Sequence, residues 1–322
     1  MKILVTGSAG FIGWKTAAML LKQGAEVTGI DNLNEYYDPR LKDYRLSELK
    51  KQPGFCFYKA DIENIHELQP IFDQHDFDAV LNLAARAGVR YSMENPHIYI
   101  ATNIIGTLNL LEMMKQHSIS KLVLASTSSL YAGQAMPFTE DMPVNTPVSP
   151  YAASKKGAEA IAYSYHYLYG MDVSILRYFT VYGPAGRPDM SIFRFIKWID
   201  EGMPLKLYGD GNQSRDFTYV DDIALGTIKA IKKVGYEIVN LGGGRNPLSL
   251  NEVIRKIETA LGKKAVIENS PFPKADLFET QADISKAMRL FEWHPRVDIE
   301  EGLNNTVGWY KENKSWLRGI KI

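Results

Sequence analysis

Tyr151 and Lys155 stand four residues apart in the run Pro150-Tyr151-Ala152-Ala153-Ser154-Lys155, a spacing that pairs a latent phenolate with a cation on one face of a helix. A phenol in that setting can act as a base. Its reference pKa is about 10, so work near neutrality needs a downward shift of roughly three units, or about 4 kcal/mol of preference for the charged form. A neighbouring lysine supplies part of it, because a positive charge favours phenolate over phenol. Ordinary helices often carry a tyrosine and a lysine at this spacing, so the elements that position the pair must carry the argument.

The first half of the chain alternates short β-branched runs with amphipathic helical patterns. Ile3-Leu4-Val5, Glu26-Val27-Thr28-Gly29-Ile30, Cys56-Phe57-Tyr58, Ala79-Val80-Leu81-Asn82-Leu83, Leu122-Val123-Leu124-Ala125 and Val173-Ser174-Ile175-Leu176 read as strands buried on both faces. The alternation predicts an α/β fold, a doubly wound parallel (Rossmann) sheet with right-handed crossovers. After Tyr178 the regularity loosens around Gly183-Pro184, Gly186-Arg187-Pro188, Gly202 and Gly209-Asp210-Gly211, which suits a smaller α/β substrate lobe. A further strand, Ile238-Val239-Asn240-Leu241, then rejoins the sheet, so the lobes interleave. The predicted organisation is a dinucleotide-binding domain over 1–178 with a return segment at about 217–260, and a substrate lobe from 179–216 and 261–322.

At 322 residues and 45% hydrophobic content, the chain can bury a full core. Lys+Arg and Asp+Glu both number 37, so no net field draws nucleic acid or an anionic membrane to it. Cys56 is the single cysteine, which excludes an internal disulfide and a cysteine-rich metal site and fits a reducing compartment. The six histidines form no ligand-like cluster, and no metal is expected. The apolar start Met1–Val5 is cut off by Thr6-Gly7, far short of a secretory core or a membrane span, so the chain reads as cytoplasmic.

Thr6-Gly7-Ser8-Ala9-Gly10-Phe11-Ile12-Gly13 follows the first strand and opens a helix, the context a phosphate-binding glycine loop needs. Gly7 allows the tight turn, Gly10 lets backbone approach a pyrophosphate at the helix N-terminus, and Gly13 lets helix and strand pack closely. Asp31 ends the second strand, where it can hydrogen-bond an adenosine ribose and repel a 2′-phosphate, favouring NAD over NADP. Asp61-Ile62 can bracket the adenine, and Ala84-Ala85 leave room for backbone beside the ribose and pyrophosphate. A plain helix cap remains open for Asp61.

Gly7-x-x-Gly10-x-x-Gly13, Ser126-Thr127-Ser128-Ser129-Leu130-Tyr131, Tyr151-x-x-x-Lys155, Arg177-Tyr178-Phe179-Thr180-Val181-Tyr182-Gly183-Pro184 and Arg215-Asp216-Phe217-Thr218-Tyr219-Val220-Asp221-Asp222 together resemble the extended short-chain dehydrogenase/reductases, over nearly the whole chain. Asn34-Glu35-Tyr36-Tyr37-Asp38, Ala87-Gly88-Val89-Arg90-Tyr91-Ser92, Thr180 to Pro184 and Gly186-Arg187-Pro188-Asp189-Met190 are most similar to the UDP-glucuronate 4-epimerase branch. The resemblance implies an NAD-dependent epimerase acting through a transient 4-keto sugar. Tyr151 would take the proton of the sugar 4-hydroxyl while hydride passes from C4 to NAD. Thr127 would hydrogen-bond that hydroxyl, and Lys155 would bind the nicotinamide ribose and keep the tyrosine charged. Phe11, Ile12, Asn32, Leu83, Asn103, Ser126 and Tyr178 join the implied NAD contacts. Related 4,6-dehydratases carry an acidic pair at Ser128 and Ser129, and serines cannot do that acid–base work.

Oxidising a uronic sugar at C4 makes a β-keto acid that readily loses its carboxylate, so the group must be held still. Hydroxyls of Thr127, Ser128 and Thr180 could do so, with Arg90 or Arg187 as charge partners; a structural ion pair remains open for each arginine. Relatives acting on neutral sugars commonly have Asn at Thr180. For the UDP half, the resemblance implies Arg215 on the pyrophosphate, Asp276 on the uridine ribose, and a strand from Leu205 to Tyr208 with Leu207 and Tyr208 beside the uracil. Lys274-Ala275-Asp276 departs from the usual Pro-Gly-Asp, Arg86 stands for Gln, Trp14 for a small polar residue, and Ala132 for a glycine. The rival readings are a 4-epimerase of UDP-glucose/UDP-galactose or their N-acetyl forms, a net dehydrogenase, and a non-catalytic NAD-sensing protein. Amphipathic helices at about 98–115 and 151–169 are expected to pair across a two-fold axis as a homodimer.

Overall fold

Each apolar run of the first half becomes a strand in the computed structural model, which describes residues 1–244, 247–273 and 277–322. In chain order these are β1 (Lys2–Thr6), β2 (Glu26–Asp31), β3 (Phe55–Lys59), β4 (Ala79–Asn82), β5 (Lys121–Thr127) and β6 (Asp172–Tyr178). Then come β7 (Thr180–Tyr182), β8 (Pro204–Tyr208), β9 (Ser214–Arg215), β10 (Phe217–Tyr219), β11 (Tyr236–Leu241), β12 (Leu248–Ser249) and β13 (Val266–Ser270). Seven of them form one sheet in the order β11-β6-β5-β4-β1-β2-β3, every pairing parallel. Ile3, Leu4 and Val5 are wholly buried, as a strand covered by helices on both faces requires. Burial on both faces fails at β3. Cys56 and Lys59 are exposed there, because β3 is the sheet edge with only β2 beside it.

Two helices set the glycine loop and the tyrosine. Helix α1 (Phe11–Lys22) starts directly from the loop, with Gly10 at its N-cap. The helix Pro150–Tyr169 begins where Ser149 Oγ accepts from the Ala152 backbone N–H at 3.1 Å and Pro150 pre-sets the first turn, and it ends at Gly170, φ 67°. That cap fixes Tyr151 in the first turn, with Lys155 one turn further. On the same side, Ile100–Ile105 is π-helical, a local widening of the kind found at functional sites. No helix among the described residues is long and apolar enough to cross a membrane.

The second core joins Ile192, Phe195, Ile196, Leu205, Leu207, Val253, Ile254, Ile257, Leu303 and Val307. Small parallel pairs β7–β10 and β8–β13 and the antiparallel pair β9–β12 edge it. The division differs from the expected boundaries. The return to the sheet spans the helix Val220–Lys229 and β11, because β10 pairs with β7 and the helix Leu250–Leu261 packs into the second core. Ala287, Phe291 and Trp293, expected in the substrate lobe, close the first core instead. An amphipathic pattern states that a face is buried, not against which core.

Candidate active site

The strand order reverses between β1 and β4, which leaves a crevice beyond the strand C-termini. A cavity of about 670 Å³ occupies that crevice and runs on into the second lobe. Gly7, Gly10, Phe11, Ile12, Gly13, Asp31, Asn32, Asp61, Ile62, Leu83, Ala84, Ala85, Ser126, Thr127, Ser128, Tyr151, Lys155 and Tyr178 line it. So do Arg90, Thr180, Arg187, Leu207, Tyr208 and Arg215. Asp276, with Lys274 and Ala275 beside it, lies outside the described residues.

The glycine loop is packed without room for side chains. Gly7 has φ +68°, and a Cβ on it would stand 2.8 Å from Ala84 Cα; a Cβ on Gly13 would stand 2.1 Å from the Gly7 carbonyl oxygen. This is a cradle that brings bare backbone to a ligand at the start of α1. Gly13→Ala is expected to destabilise the fold by about 1–3 kcal/mol and to empty the protein of bound dinucleotide, read by a thermal melt and by nucleotide released on acid denaturation. An alanine variant that melts and binds like wild type would remove the close-packing argument. Beside the cradle, buried Asp31 accepts from the Ala9 N–H at 3.2 Å and the Leu33 N–H at 2.8 Å and pairs with Lys42 at 3.5 Å. Asn32 Nδ2 donates to Asp61 Oδ2 at 2.7 Å. Asp61 does not cap the following helix, Ile65–Gln74; Asn64 does, accepting from His66 N at 3.1 Å.

Thr127 ends β5 and its hydroxyl accepts from Ser129 N at 3.1 Å, so the side chain is fixed by the turn it caps. In the protein alone the Tyr151 phenol stands above its ordinary value: burial pushes it up, and the nearby Thr127 hydroxyl and then the charge of Arg187 offset that only in part. Arg187 is thus a cation acting on Tyr151 that the helical spacing did not announce. Lys155 faces the cavity with no hydrogen bond or ion pair among the described residues, and burial lowers it to about 8 against the opposing charge of Glu159. Glu159, itself buried, is held by Arg177 at 3.0 and 2.9 Å and by Ser126 Oγ at 2.6 Å.

Arg187 makes the ion pair left open for it, with Asp189 at 2.5 Å, while its guanidinium lies 5.6 Å from the Tyr36 ring centroid and still lines the cavity. Arg90 stacks 4.0 Å over Tyr208. Arg215 donates to the carbonyls of Ser214 and Phe278 at 2.8 and 3.0 Å. Asn103, expected against the coenzyme, is buried and does not line the cavity; its amide accepts from the Arg86 N–H and donates to the Arg86 carbonyl and to Ser154 Oγ, at 2.8–3.0 Å. It clips the loop after β4 to the tyrosine's helix.

Sequence reasoning missed Arg194, Lys206, Lys42 and Tyr36, all on the cavity wall. Arg194 stacks on Trp198 at 4.8 Å with its buried Nε lacking a partner among the described residues. Its signal was a cation inside the apolar run Ile192-Phe193-Arg194-Phe195-Ile196. Arg90, Arg194, Lys206 and Arg215 give one end of the cavity a positive wall suited to a diphosphate. Of two departures, Ala132 lines the cavity with φ −51° and needs no glycine, and Trp14 packs toward Tyr44, at 6.4 Å, off the cavity wall.

The sequence profile of the NAD dependent epimerase/dehydratase family matches residues 3–242. The chain is 60% identical over 319 residues to the UDP-glucuronate 4-epimerase of Thermodesulfobacterium geofontis, covering 99% of each. Its fold is similar to that of the UDP-glucuronic acid 4-epimerase of Bacillus cereus solved with UDP-glucuronic acid and NAD, at TM-score 0.90 and 37% identity over 97% of this chain and all of that one. It is also similar to the Thermotoga maritima UDP-glucose 4-epimerase solved with UDP-glucose, at TM-score 0.89 and 31% identity over 98% of this chain and all of that one.

Proposed function

The chain belongs to the NAD dependent epimerase/dehydratase family, and from that premise we propose that it is a UDP-glucuronate 4-epimerase, interconverting UDP-glucuronate and UDP-galacturonate through a 4-keto sugar. The observation that carries the choice of sugar is Arg187, which lines the same cavity as the hydroxyls of Thr127, Ser128 and Thr180 and is near enough to Tyr151 to act on its ionisation. In this reading they bind the sugar carboxylate beside the base.

The glycine cradle and Asp31 fit NAD: bare backbone at a helix start receives the pyrophosphate, and the carboxylate receives the adenosine ribose. When bound, NAD supplies the acceptor and the return donor of the C4 hydride. Lys155, its ammonium open to the cavity, donates to the nicotinamide ribose. Tyr151 takes the proton of the sugar 4-hydroxyl, and Thr127, held by Ser129, orients that hydroxyl. After the ring has turned, Tyr151 returns the proton and the opposite epimer forms. Arg187 and the three hydroxyls fix the carboxylate so that its C–C bond stays out of line with the ketone π system, which suppresses loss of carbon dioxide. Arg90, Arg194 and Arg215 hold the diphosphate, and Leu207 and Tyr208 flank the uracil.

Incubation with UDP-glucuronate is expected to give its 4-epimer without accumulating NADH. Turnover of UDP-glucose but not of UDP-glucuronate would sink the choice of sugar, accumulating NADH would indicate a dehydrogenase, and no turnover of either would favour a sensor.

The protein acts as a homodimer in this reading. The two helical stretches expected to pair leave Ile100, Ile105, Tyr163, Tyr167 and Leu168 at 41–76% exposure, an apolar face with no cover in the single chain. Sedimentation at twice the 36.3 kDa chain mass is expected, and Tyr167→Glu should bring it down to the single-chain value. Wild-type protein running as a monomer would overturn the dimer. The lone thiol of Cys56 accords with a reducing, cytoplasmic setting.

A further inference from the structure

Arg45 is wholly buried in α2 (Arg40–Lys50), and all five of its N–H groups are used. Nε and Nη2 donate to the Ala185 carbonyl at 3.0 and 2.7 Å, Nη2 also to the Gly186 carbonyl at 3.1 Å, and Nη1 to the Ala9 carbonyl at 3.1 Å and to the Tyr37 hydroxyl at 2.6 Å. One guanidinium therefore spans two loops that meet nowhere in sequence. Ala9 belongs to the glycine loop; Ala185, held at φ 52°, and Gly186 lead directly into Arg187.

Every acceptor in that set is neutral. Among the described residues no carboxylate pairs with Arg45, although a buried charge ordinarily has a counter-charge. The charges acting on Lys42, which pairs with Asp31, include Arg86 and Arg45 as well. Asp31 answers Lys42, whereas Arg45 adds positive charge with no carboxylate of its own among the described residues. The phosphates of a dinucleotide at the glycine loop would bring negative charge to it.

We propose that Arg45 is a positioning residue whose counter-charge is the coenzyme pyrophosphate, and that its fork ties occupancy of the glycine loop to the loop that aims Arg187. The proposal rests on the NAD and UDP-sugar reading above. Because coupling between two ligands is reciprocal, UDP-sugar binding should tighten coenzyme binding through the same residue. Lysine keeps the charge but has no planar fork to span both loops; methionine keeps the bulk and loses both.

The test titrates NADH into wild type, Arg45→Lys and Arg45→Met full-length protein, with and without saturating UDP-glucuronate, whose carboxylate engages Arg187, read by energy transfer from tryptophan. Wild type should bind NADH more tightly when UDP-glucuronate is present. Arg45→Met should bind NADH roughly 10- to 100-fold more weakly, with the UDP-glucuronate effect gone. Arg45→Lys should stay within about threefold of wild type for NADH alone and lose the UDP-glucuronate effect. A purely structural arginine would lower the melting temperature of the variants and leave the ratio of NADH affinities with and without UDP-glucuronate unchanged, and that result in Arg45→Lys alone would overturn the proposal even if Arg45→Met does not fold. Wild type that binds no NADH would overturn the coenzyme reading, and this proposal with it.

Discussion

Tyr151→Phe lowers turnover of UDP-glucuronate by about 10³- to 10⁴-fold near neutral pH, while NADH and UDP-sugar affinities stay within about threefold of wild type. The hydroxyl is the only group removed. The ring keeps its half-buried seat 6.0 Å from Tyr99, and the helix start is fixed by Ser149 and Pro150, which the substitution does not touch. What is lost is the atom that Thr127 contacts and that the charge of Arg187 acts upon. Steady-state kinetics beside nucleotide titrations check this. Turnover above about a tenth of wild type would mean that another group takes the proton, and loss of nucleotide binding would mean that the phenol is a structural post.

Arg187→Gln lowers kcat/KM for UDP-glucuronate by about 10²- to 10³-fold, the cost of removing one partner of a desolvated, hydrogen-bonded charge pair. Asp189, left without its cation, has 35% side-chain exposure and can turn to water. A second signature lies in the pH profile. Arg187 pulls the Tyr151 phenol down against burial, so without it the tyrosine keeps its proton to higher pH and the acid limb of kcat moves toward alkaline values. The acid limb measured on the variant decides the matter; left unmoved, it would show that Arg187 reads the sugar alone.

The strands were legible because parallel strands covered on both faces are nearly continuous apolar runs, and the glycine loop because its spacing reports backbone that tolerates no Cβ. The path of side chains was not. Helical spacing puts Tyr151 and Lys155 on one face, yet it says nothing about where a four-carbon chain leads, and Lys155 leads to the cavity while Arg187 arrives from a separate loop to act on the phenol. Asn103 looked free to meet a coenzyme because nothing in its neighbours announces a π-helical turn aimed at the Arg86 backbone. Arg45 stands in the mostly polar stretch Arg40–Lys50 and is buried because loops from two distant parts of the chain close over it, a tertiary fact with no local signature.

The last strand of the large sheet, β11, is made only after β7 to β10 of the other lobe. During synthesis, β6 must therefore wait with its outer edge bare until residue 241 has left the ribosome, and an unpaired edge is a template for wrong partners. Trp293, which closes the same core, emerges later still. The nucleotide-binding half therefore lacks its outermost strand and the indole that seals its core until most of the other lobe has been made.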